Sequence, residues 1–327
     1  MYKKSASKMG KNMLLLDVDP GVDDAQALLM VLAVPNIQIM GITCCHGNTG
    51  IENVCRNVLR VLKLCGRMEI PVYRGSAASI LGERLHDPVY HGKDGLGDVP
   101  DPNAPGLEHL QMEHAVNAMI RIVSEHPGQI SLVAVGPLTN VALAVKMDAT
   151  FPSKLKRLYI MGGNMEGRGN VKVASEFNFV TDAEAAYVVL SQFTCPTYIA
   201  TWEYCLRHRL PWEFYKEWVN QDTEKARFMK RISAHTAERA KSEAGSKELF
   251  FGPGFVSCDS FAMAAAIDES VVTEYSQLGV TVELHGSLTR GMMILDTLDL
   301  LKIKNRAFVM MKCDMEKYKQ LLIASLK

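Results

Sequence analysis

The sequence has no excess of charge of either sign, because 36 lysines and arginines are matched by 36 aspartates and glutamates. It also has no long run of one sign. These two absences argue against a nucleic-acid backbone or an anionic membrane surface as partner. A small neutral ligand is the better expectation.

Long apolar runs are missing as well. The first twelve residues, MYKKSASKMGKN, lack the apolar stretch of a secretory signal, and no later run reaches membrane-spanning length. We therefore expect a flexible tail over 1–12 and one α/β domain over 13–327 in a cytoplasmic protein. The eight cysteines form no C-x-x-C motif, which is typical of free thiols in a reducing compartment.

Short apolar, β-rich runs alternate with helical patterns through most of the chain. This alternation predicts a single α/β domain with a mostly parallel central sheet, helices on both faces and an active site at the C-terminal edge of the strands. Strands are expected at 13–17, 37–44, 70–73, 130–135, 156–160, 197–200, 271–275, 279–284 and 306–312. Helices are expected at 24–34, 52–65, 113–125, 138–147, 182–191 and from 314. The charged, aromatic stretch 203–250 predicts a helical lid or rim.

Four aspartates fall within eight residues of LLLDVDPGVDDAQALLMVL. Asp17 and Asp19 end an apolar strand and point to one face, since strand residues two apart share a side. The Pro-Gly turn then brings Asp23 and Asp24, at the start of an apolar helix, back toward the same point. Crowded carboxylates repel one another, and a hard cation such as Ca²⁺ or Mg²⁺ relieves that repulsion. Capping the helix would need only one of the four.

Further polar residues follow later strands, in CCHGNTGIENV, VAVGPLTNVALA, MGGNMEGRGNVKVASEFNF and FFGPGFVSCDSFAMAAAI. A backbone carbonyl is an acceptable Ca²⁺ ligand, and a carboxylate beside amides can bind vicinal hydroxyls. Taken singly, Asn48 is typical of a turn and Asp259 of a helix N-cap. The candidates in these segments are Asn48, Val135, Asn170, Glu176, Asn178 and Asp259.

Together these segments resemble the inosine-uridine-preferring nucleoside hydrolase family from Asp17 to the end of the chain. DVDPGVDD, GNTGIENV, VGPLTN, an EFN-like stretch and a late Asp before a helix occur in the family's order. The resemblance implies one Ca²⁺ and hydrolysis of the N-glycosidic bond of a ribonucleoside to free base and ribose. It also implies a homo-oligomer, a dimer or a tetramer.

The resemblance assigns a role to each matching residue. It implies that the metal ligands are Asp19, Asp24, the Val135 carbonyl and Asp259. It implies that the ribose hydroxyls are gripped by Asp23, Asn48, Asn170, Glu176 and Asn178. Asp17 matches a supporting carboxylate, and His91 in VYHGKDGLGD matches a loop histidine close to the substrate.

The implied mechanism starts with a metal-held water that loses its proton to Asp19 and attacks C1′ of the ribose. Asp23 and Glu176 are expected to stabilise the positive charge that develops on the sugar ring. The departing base needs a proton or hydrogen bonds. The best-known members place a His before the late metal-binding Asp, whereas this chain has Cys258 there, as a subset of the family does.

This change leaves the leaving-group acid open, because a thiol is a weak hydrogen-bond donor. His91 and His235 are candidate substitutes for Cys258. Base recognition is expected from the loop near 76–98 and from the helical rim. The aromatics that either stack on the base or belong to the core are Trp202, Tyr204, Phe250 and Phe251.

Two other functions are compatible with parts of the sequence. Because Cys258 replaces the usual His, the chain could instead be a nucleoside- or ribose-binding protein with little or no catalysis. A strand that ends in Asp-x-Asp is also the nucleophile signature of haloacid dehalogenase-type phosphatases, but Gly21 stands where that pattern expects Thr. The hydrolase is the leading hypothesis.

Overall fold

The computed structural model describes residues 12–327 and builds one nine-stranded sheet from them. In chain order the strands are β1 (Asn12–Val18), β2 (Ile37–Cys44), β3 (Val72–Arg74), β4 (Ile130–Ala134), β5 (Arg157–Met161), β6 (Thr197–Ala200), β7 (Val272–Val282), β8 (Met293–Asp296) and β9 (Ala307–Cys313). Their order across the sheet is β3-β2-β1-β4-β5-β6-β9-β7-β8. Neighbours from β3 to β9 are parallel, whereas β7 is antiparallel to β9 and β8. The predicted α/β fold with a mostly parallel sheet is confirmed.

Helices connect the strands and cover the sheet. They are α1 (Val22–Leu32), α2 (Ile51–Leu64), α3 (Pro88–His91), α4 (Ala115–Glu125), α5 (Thr139–Met147), α6 (Phe151–Lys154), α7 (Phe177–Thr181), α8 (Ala183–Gln192), α9 (Trp202–Arg207), α10 (Trp212–Val219), α11 (Glu224–Ile232), α12 (Ala234–Lys241), α13 (Glu243–Glu248), α14 (Asp259–Ile267) and α15 (Met315–Ser325). Two short 3-10 turns occur at Leu107–His109 and Glu269–Val271. No helix in the described part of the chain is long and apolar enough to cross a membrane.

Alternate residues of β1 face two apolar layers, as the two-residue period of a strand requires. Leu14 and Leu16 pack with residues of α1, α2 and α14, whereas Leu15 packs with residues of α4, α5 and α8. All three leucines are fully buried. Each buried leucine contributes about 1.5–3 kcal/mol through removal of apolar surface from water. Burial on both faces therefore fixes the position of β1, and with it the aspartates at its end.

The strand order reverses direction beside β1, because β2 and β3 lie on one side and β4, β5 and β6 on the other. In doubly wound sheets, ligands bind at such a reversal, beyond the carboxyl ends of the strands. β1 ends immediately before Asp19, and β4 ends immediately before Val135. The backbone N–H of Val135 donates to the carbonyl of Asp17 at 3.0 Å, so the two strands stay joined up to this edge.

The structure differs from the predicted strands in two places. The polar stretch around Ser276 and Gln277 predicted a break between two strands, but β7 runs through it unbroken. These residues still pair with Val309 and Phe308 of β9, because backbone pairing does not need apolar side chains. The four-residue β8 was not predicted. Asn12, placed in the tail, begins β1, and the other eleven tail residues lie outside the described residues.

Candidate active site

A cavity of about 310 Å³ opens beyond the carboxyl ends of the central strands. Nine of the residues that the sequence nominated line it, namely Asp23, Asn48, His91, Val135, Asn170, Glu176, Asn178, Cys258 and Asp259. The other three, Asp17, Asp19 and Asp24, are fully buried and hydrogen-bonded to neighbouring parts of the site. The size is at the lower end of the range for small-molecule sites. The structure therefore brings these twelve residues into one region.

Asp24 closes the turn between β1 and α1. Its two carboxylate oxygens accept from the backbone N–H groups of Asp19 and Gly21, each at 3.0 Å. The side-chain amide of Asn48 adds a third hydrogen bond, at 3.2 Å. Asp24 lies in the first turn of α1 and Asp259 in the first turn of α14. The positive ends of two helix dipoles therefore face carboxylates and offset part of their repulsion.

Asp17 and Asp19 have different surroundings at the end of β1. Both hydrogen bonds to Asp17 Oδ1 come from side chains, from Thr43 at 2.7 Å and from Asn140 at 2.9 Å. Asp19 Oδ2 accepts from the backbone N–H of Asn48 at 2.9 Å, whereas its Oδ1 is buried and has no partner among the described residues. Asp17 Oδ2 is likewise buried without a partner among the described residues, so each of the two carboxylates keeps one free acceptor.

The carboxylates of Asp23, Asp24 and Asp259 form a compact acidic cluster, with one oxygen of each within 4.8 Å of the others. Burial, followed by repulsion from Asp23, raises the pKa of Asp24 to about 6. Burial and the neighbouring aspartates also raise the pKa of Asp259 and of Asp19 well above the ordinary value of 3.8. Among the described residues, no lysine or arginine pairs with the cluster. A hard cation with oxygen ligands fits this uncompensated charge.

Glu176 and its neighbours line another part of the cavity. The Glu176 carboxylate caps α7 and accepts from the backbone N–H groups of Gly163, Asn178 and Phe179 at 2.8–3.2 Å. Burial raises its pKa to about 7 despite these bonds. The Asn178 amide donates to the carbonyl of Val135 at 2.7 Å. Asn170 Oδ1 is buried without a partner among the described residues, so it presents a free acceptor.

His91 and Cys258 complete the lining of the cavity. The backbone N–H of Val22 donates to His91 Nδ1 at 3.1 Å, so in the neutral ring the proton is on Nε2. The hydrogen bond to Cys205 and burial raise the pKa of the Cys258 thiol well above its usual value of 9.0. Cys258 therefore carries its proton at neutral pH.

Several residues expected near the base lie elsewhere. His235 bonds the carbonyl of Val89 and is not part of the cavity lining. Tyr204 is fully buried in the core, while Phe250 and Phe251 lie under the guanidinium groups of surface arginines. Of the four aromatics considered, only Trp202 lines the cavity.

The sequence did not single out some residues that line the cavity. These are Met161, Val171, Phe177, Arg239 and the run from His86 to Tyr90. Most of them come from the loop near 76–98 or from the helical rim, the two segments expected to recognise the base. Their side chains had no motif to mark them, since loop conformation decides which of them face inward.

Comparison with known proteins identifies the family. The model described as "Inosine-uridine preferring nucleoside hydrolase" matches residues 14–320. The chain belongs to this family. The resemblance seen in the sequence is thereby confirmed, and it leaves the phosphatase alternative without support.

The relatives of this nucleoside hydrolase family member are named as nucleoside hydrolases or uridine nucleosidases. The chain is 31% identical over 317 residues to "Inosine-uridine preferring nucleoside hydrolase" of Crithidia fasciculata, covering 96% of this chain and 97% of that protein. It is 40% identical over 191 residues to "Probable uridine nucleosidase 1" of Oryza sativa subsp. japonica, a match that spans only 57% of either protein. The solved structure of "Inosine-Guanosine Nucleoside Hydrolase (IG-NH)" is 28% identical, with a TM-score of 0.86 over 96% of this chain and 98% of that one.

In this family member, the buried side chains of His46, Thr139 and Asp182 form a chain of hydrogen bonds next to the site. Thr139 Oγ1 donates to Asp182 at 2.6 Å, so its oxygen accepts from His46 Nε2 at 3.0 Å. His46 Nδ1 is then unprotonated, and it is buried without a partner among the described residues. Burial lowers the pKa of His46 from 6.5 to about 4. The loop that presents Asn48 is thus joined to the start of α5.

We expect replacement of Gly47 by alanine to disable the hydrolase. A Cβ at Gly47 would overlap Asp19 Oδ2 and the ring of Pro137, so either the loop or the Asp19 carboxylate must move. Misplacement of a reacting group by about 1 Å costs roughly 10²-fold in rate. Nucleoside hydrolysis by Gly47→Ala should fall by about that factor. Gly50→Ala in the same loop is the matched control, because its Cβ would have nothing within 4 Å, and equal losses in both variants would refute the steric explanation.

We also expect His46 to make stability depend on pH. The unfolded chain binds a proton at His46 below pH 6.5, whereas the folded chain does not bind it until about pH 4. The contribution of His46 to the free energy of unfolding should therefore fall as pH decreases from 6.5 to 4, by at most about 3 kcal/mol, while the buried carboxylates with raised pKa values contribute in the opposite direction. The free energy of unfolding of the unmodified protein minus that of His46→Gln, measured by urea unfolding, should therefore decrease as the pH falls across this range. Parallel curves for the two proteins would contradict the assignment.

Proposed function

We propose that this protein is a calcium-dependent ribonucleoside hydrolase that cleaves the N-glycosidic bond to give free base and ribose. The observation that carries the proposal is the placement of an uncompensated acidic cluster at one side of a small cavity. The same cavity is lined by Glu176 and by Asn170, whose Oδ1 is a free acceptor among the described residues. The acidic cluster suits a cation, and the other polar groups suit sugar hydroxyls.

The metal would be held by Asp24 and Asp259, together with Asp19 and the carbonyl of Val135. The donor set consists only of oxygens, which suits Ca²⁺ rather than a soft metal. The carbonyl of Val135 accepts one hydrogen bond, from Asn178, and keeps a second lone pair for a ligand. When bound, Ca²⁺ would neutralise the carboxylates, make a water molecule more acidic and orient the ribose hydroxyls.

Asp19 is our candidate for the general base. Its Oδ1 is buried without a partner among the described residues, while Oδ2 is fixed by the N–H of Asn48. A carboxylate oriented in this way can accept the proton of an attacking water.

Glu176, Asp23 and the asparagines would bind the sugar. As the glycosidic bond breaks, positive charge develops on the ribose ring, and nearby carboxylates stabilise it. The Glu176 carboxylate is held by three backbone N–H groups, so it does not need to reorganise during the reaction. Asn48, Asn170 and Asn178 would fix the orientation of the hydroxyls.

Cys258 and His91 are the groups proposed to assist the departing base. The raised pKa of Cys258 keeps its thiol protonated, so it can donate, although weakly. The backbone contact to His91 Nδ1 leaves the Nε2 proton for a donor role. The relatives carry uridine, inosine and guanosine in their names, so we propose a ribonucleoside substrate without specifying the base.

The decisive test is release of reducing sugar from inosine, guanosine, adenosine, uridine and cytidine, with calcium and after chelation. Asp19→Ala should lower kcat by roughly 10²–10⁴-fold, the usual contribution of a general base. Asp222→Ala is the control, because that side chain is fully exposed. Release that persists after chelation would refute the calcium requirement. Nucleoside binding without any release would instead support the binding-protein alternative.

We also propose a cytosolic homo-oligomer. All eight cysteines are free, which suits a reducing compartment. Leu298, Leu300 and Leu301 are exposed close together after β8, as residues at a subunit contact often are. Light scattering should give a multiple of 36.2 kDa, and a monomer would contradict the oligomer.

A further inference from the structure

A second cavity, of about 620 Å³, lies between α2 and α11 and shares no lining residue with the active site. We call it the α2–α11 cleft. Its lining consists of Arg60, Lys63, Leu64, Asp101, Glu224, Arg227, Phe228, Lys230 and Arg231. Five of these side chains are cationic and two are anionic. The chain as a whole has equal numbers of both, so the positive charge here is a local concentration.

Three of the five cations, Lys63, Lys230 and Arg231, have no carboxylate partner among the described residues, whereas Arg60 and Arg227 each have one. The Arg231 side chain is exposed and forms no hydrogen bond or ion pair with another described residue. Lys63 and Lys230 donate only to neutral oxygens, those of Asn103 and Asn220. Of the exposed cations in the cleft, Arg227 has a carboxylate partner, Asp222 at 2.8 Å.

Arg60 forms a buried part of the lining and is only 8% exposed. Its guanidinium donates to the carbonyl of Val99 at 2.7 Å, and the nearest carboxylate, of Asp94, is 3.8 Å away. Its Nε is buried without a partner among the described residues. Burial lowers the pKa of Arg60 against the opposing effects of Asp94 and Asp101, and Arg231 adds to the lowering.

We propose that the α2–α11 cleft binds a small phosphate-bearing anion, either inorganic phosphate or a phosphate ester. Arginine presents a planar array of donors that matches phosphate oxygens, and lysine adds a point charge. The Phe228 ring also lines the cleft, with the Arg60 guanidinium 5.9 Å from its centroid, and would contact the organic part of an ester. The cleft is too small and too isolated for an extended nucleic-acid backbone, which needs a long basic stripe.

Calorimetric titration of the full-length protein tests this proposal without any reference to hydrolysis. The probes are inorganic phosphate and phenyl phosphate, which contains no ribose for the active site to grip. Saturable binding at millimolar concentrations or below is expected at low ionic strength, and salt should weaken it. Arg231→Gln and Lys63→Gln should each weaken binding roughly tenfold, since a charge-assisted hydrogen bond is lost. Lys146→Gln removes one exposed charge at the end of α5 and should leave the affinity unchanged.

The two probes distinguish the source of the phosphate group. Equal affinities would indicate free phosphate, whereas tighter binding of phenyl phosphate that is lost in Phe228→Leu would indicate an ester. Absence of saturable binding by both probes would overturn the proposal. Binding that is unchanged in Arg231→Gln and Lys63→Gln would also overturn it, because the anion would then occupy another site.

Discussion

Mutual repulsion among buried carboxylates is the constraint on which this structure depends. Asp19, Asp24 and Asp259 are almost inaccessible to water, and no described lysine or arginine neutralises them. Backbone N–H groups and the N-termini of α1 and α14 offset only part of the repulsion, as the raised pKa values indicate. A core packed on both faces of the sheet holds the chain in this arrangement. A cation bound as proposed would relieve this repulsion, and the relief would contribute to its binding free energy.

The sheet brings residues that are distant in sequence together at one site. β1, β2 and β4 end at the same edge, and the reversal of strand order beside β1 leaves room for a ligand there. Hydrogen bonds between the loops then define the details, for example those from Asn48 to Asp19 and Asp24. Gly47 and Gly136 leave space for the Asp19 carboxylate that any larger residue would occupy.

The sequence predicted the central strands and the nominated site because both leave local signals. Runs of β-branched and aliphatic residues mark buried strands, and four aspartates on two sides of a turn have few structural explanations. The rest of the cavity lining had no such signal, because loop packing decides that Trp202 faces the cavity and Tyr204 the core. The unbroken course of β7 was missed for a related reason, since its polar centre is held by backbone pairing alone.

The late position of Asp259 in the chain determines when the site can form during synthesis. α14 packs against α1, yet it is made only after most of the chain has left the ribosome. Asp19 and Asp24 are therefore synthesised long before Asp259, with which they form the proposed cation site. The proposed site would be complete only in the finished fold, so binding of the ion would selectively stabilise complete molecules over partly folded ones.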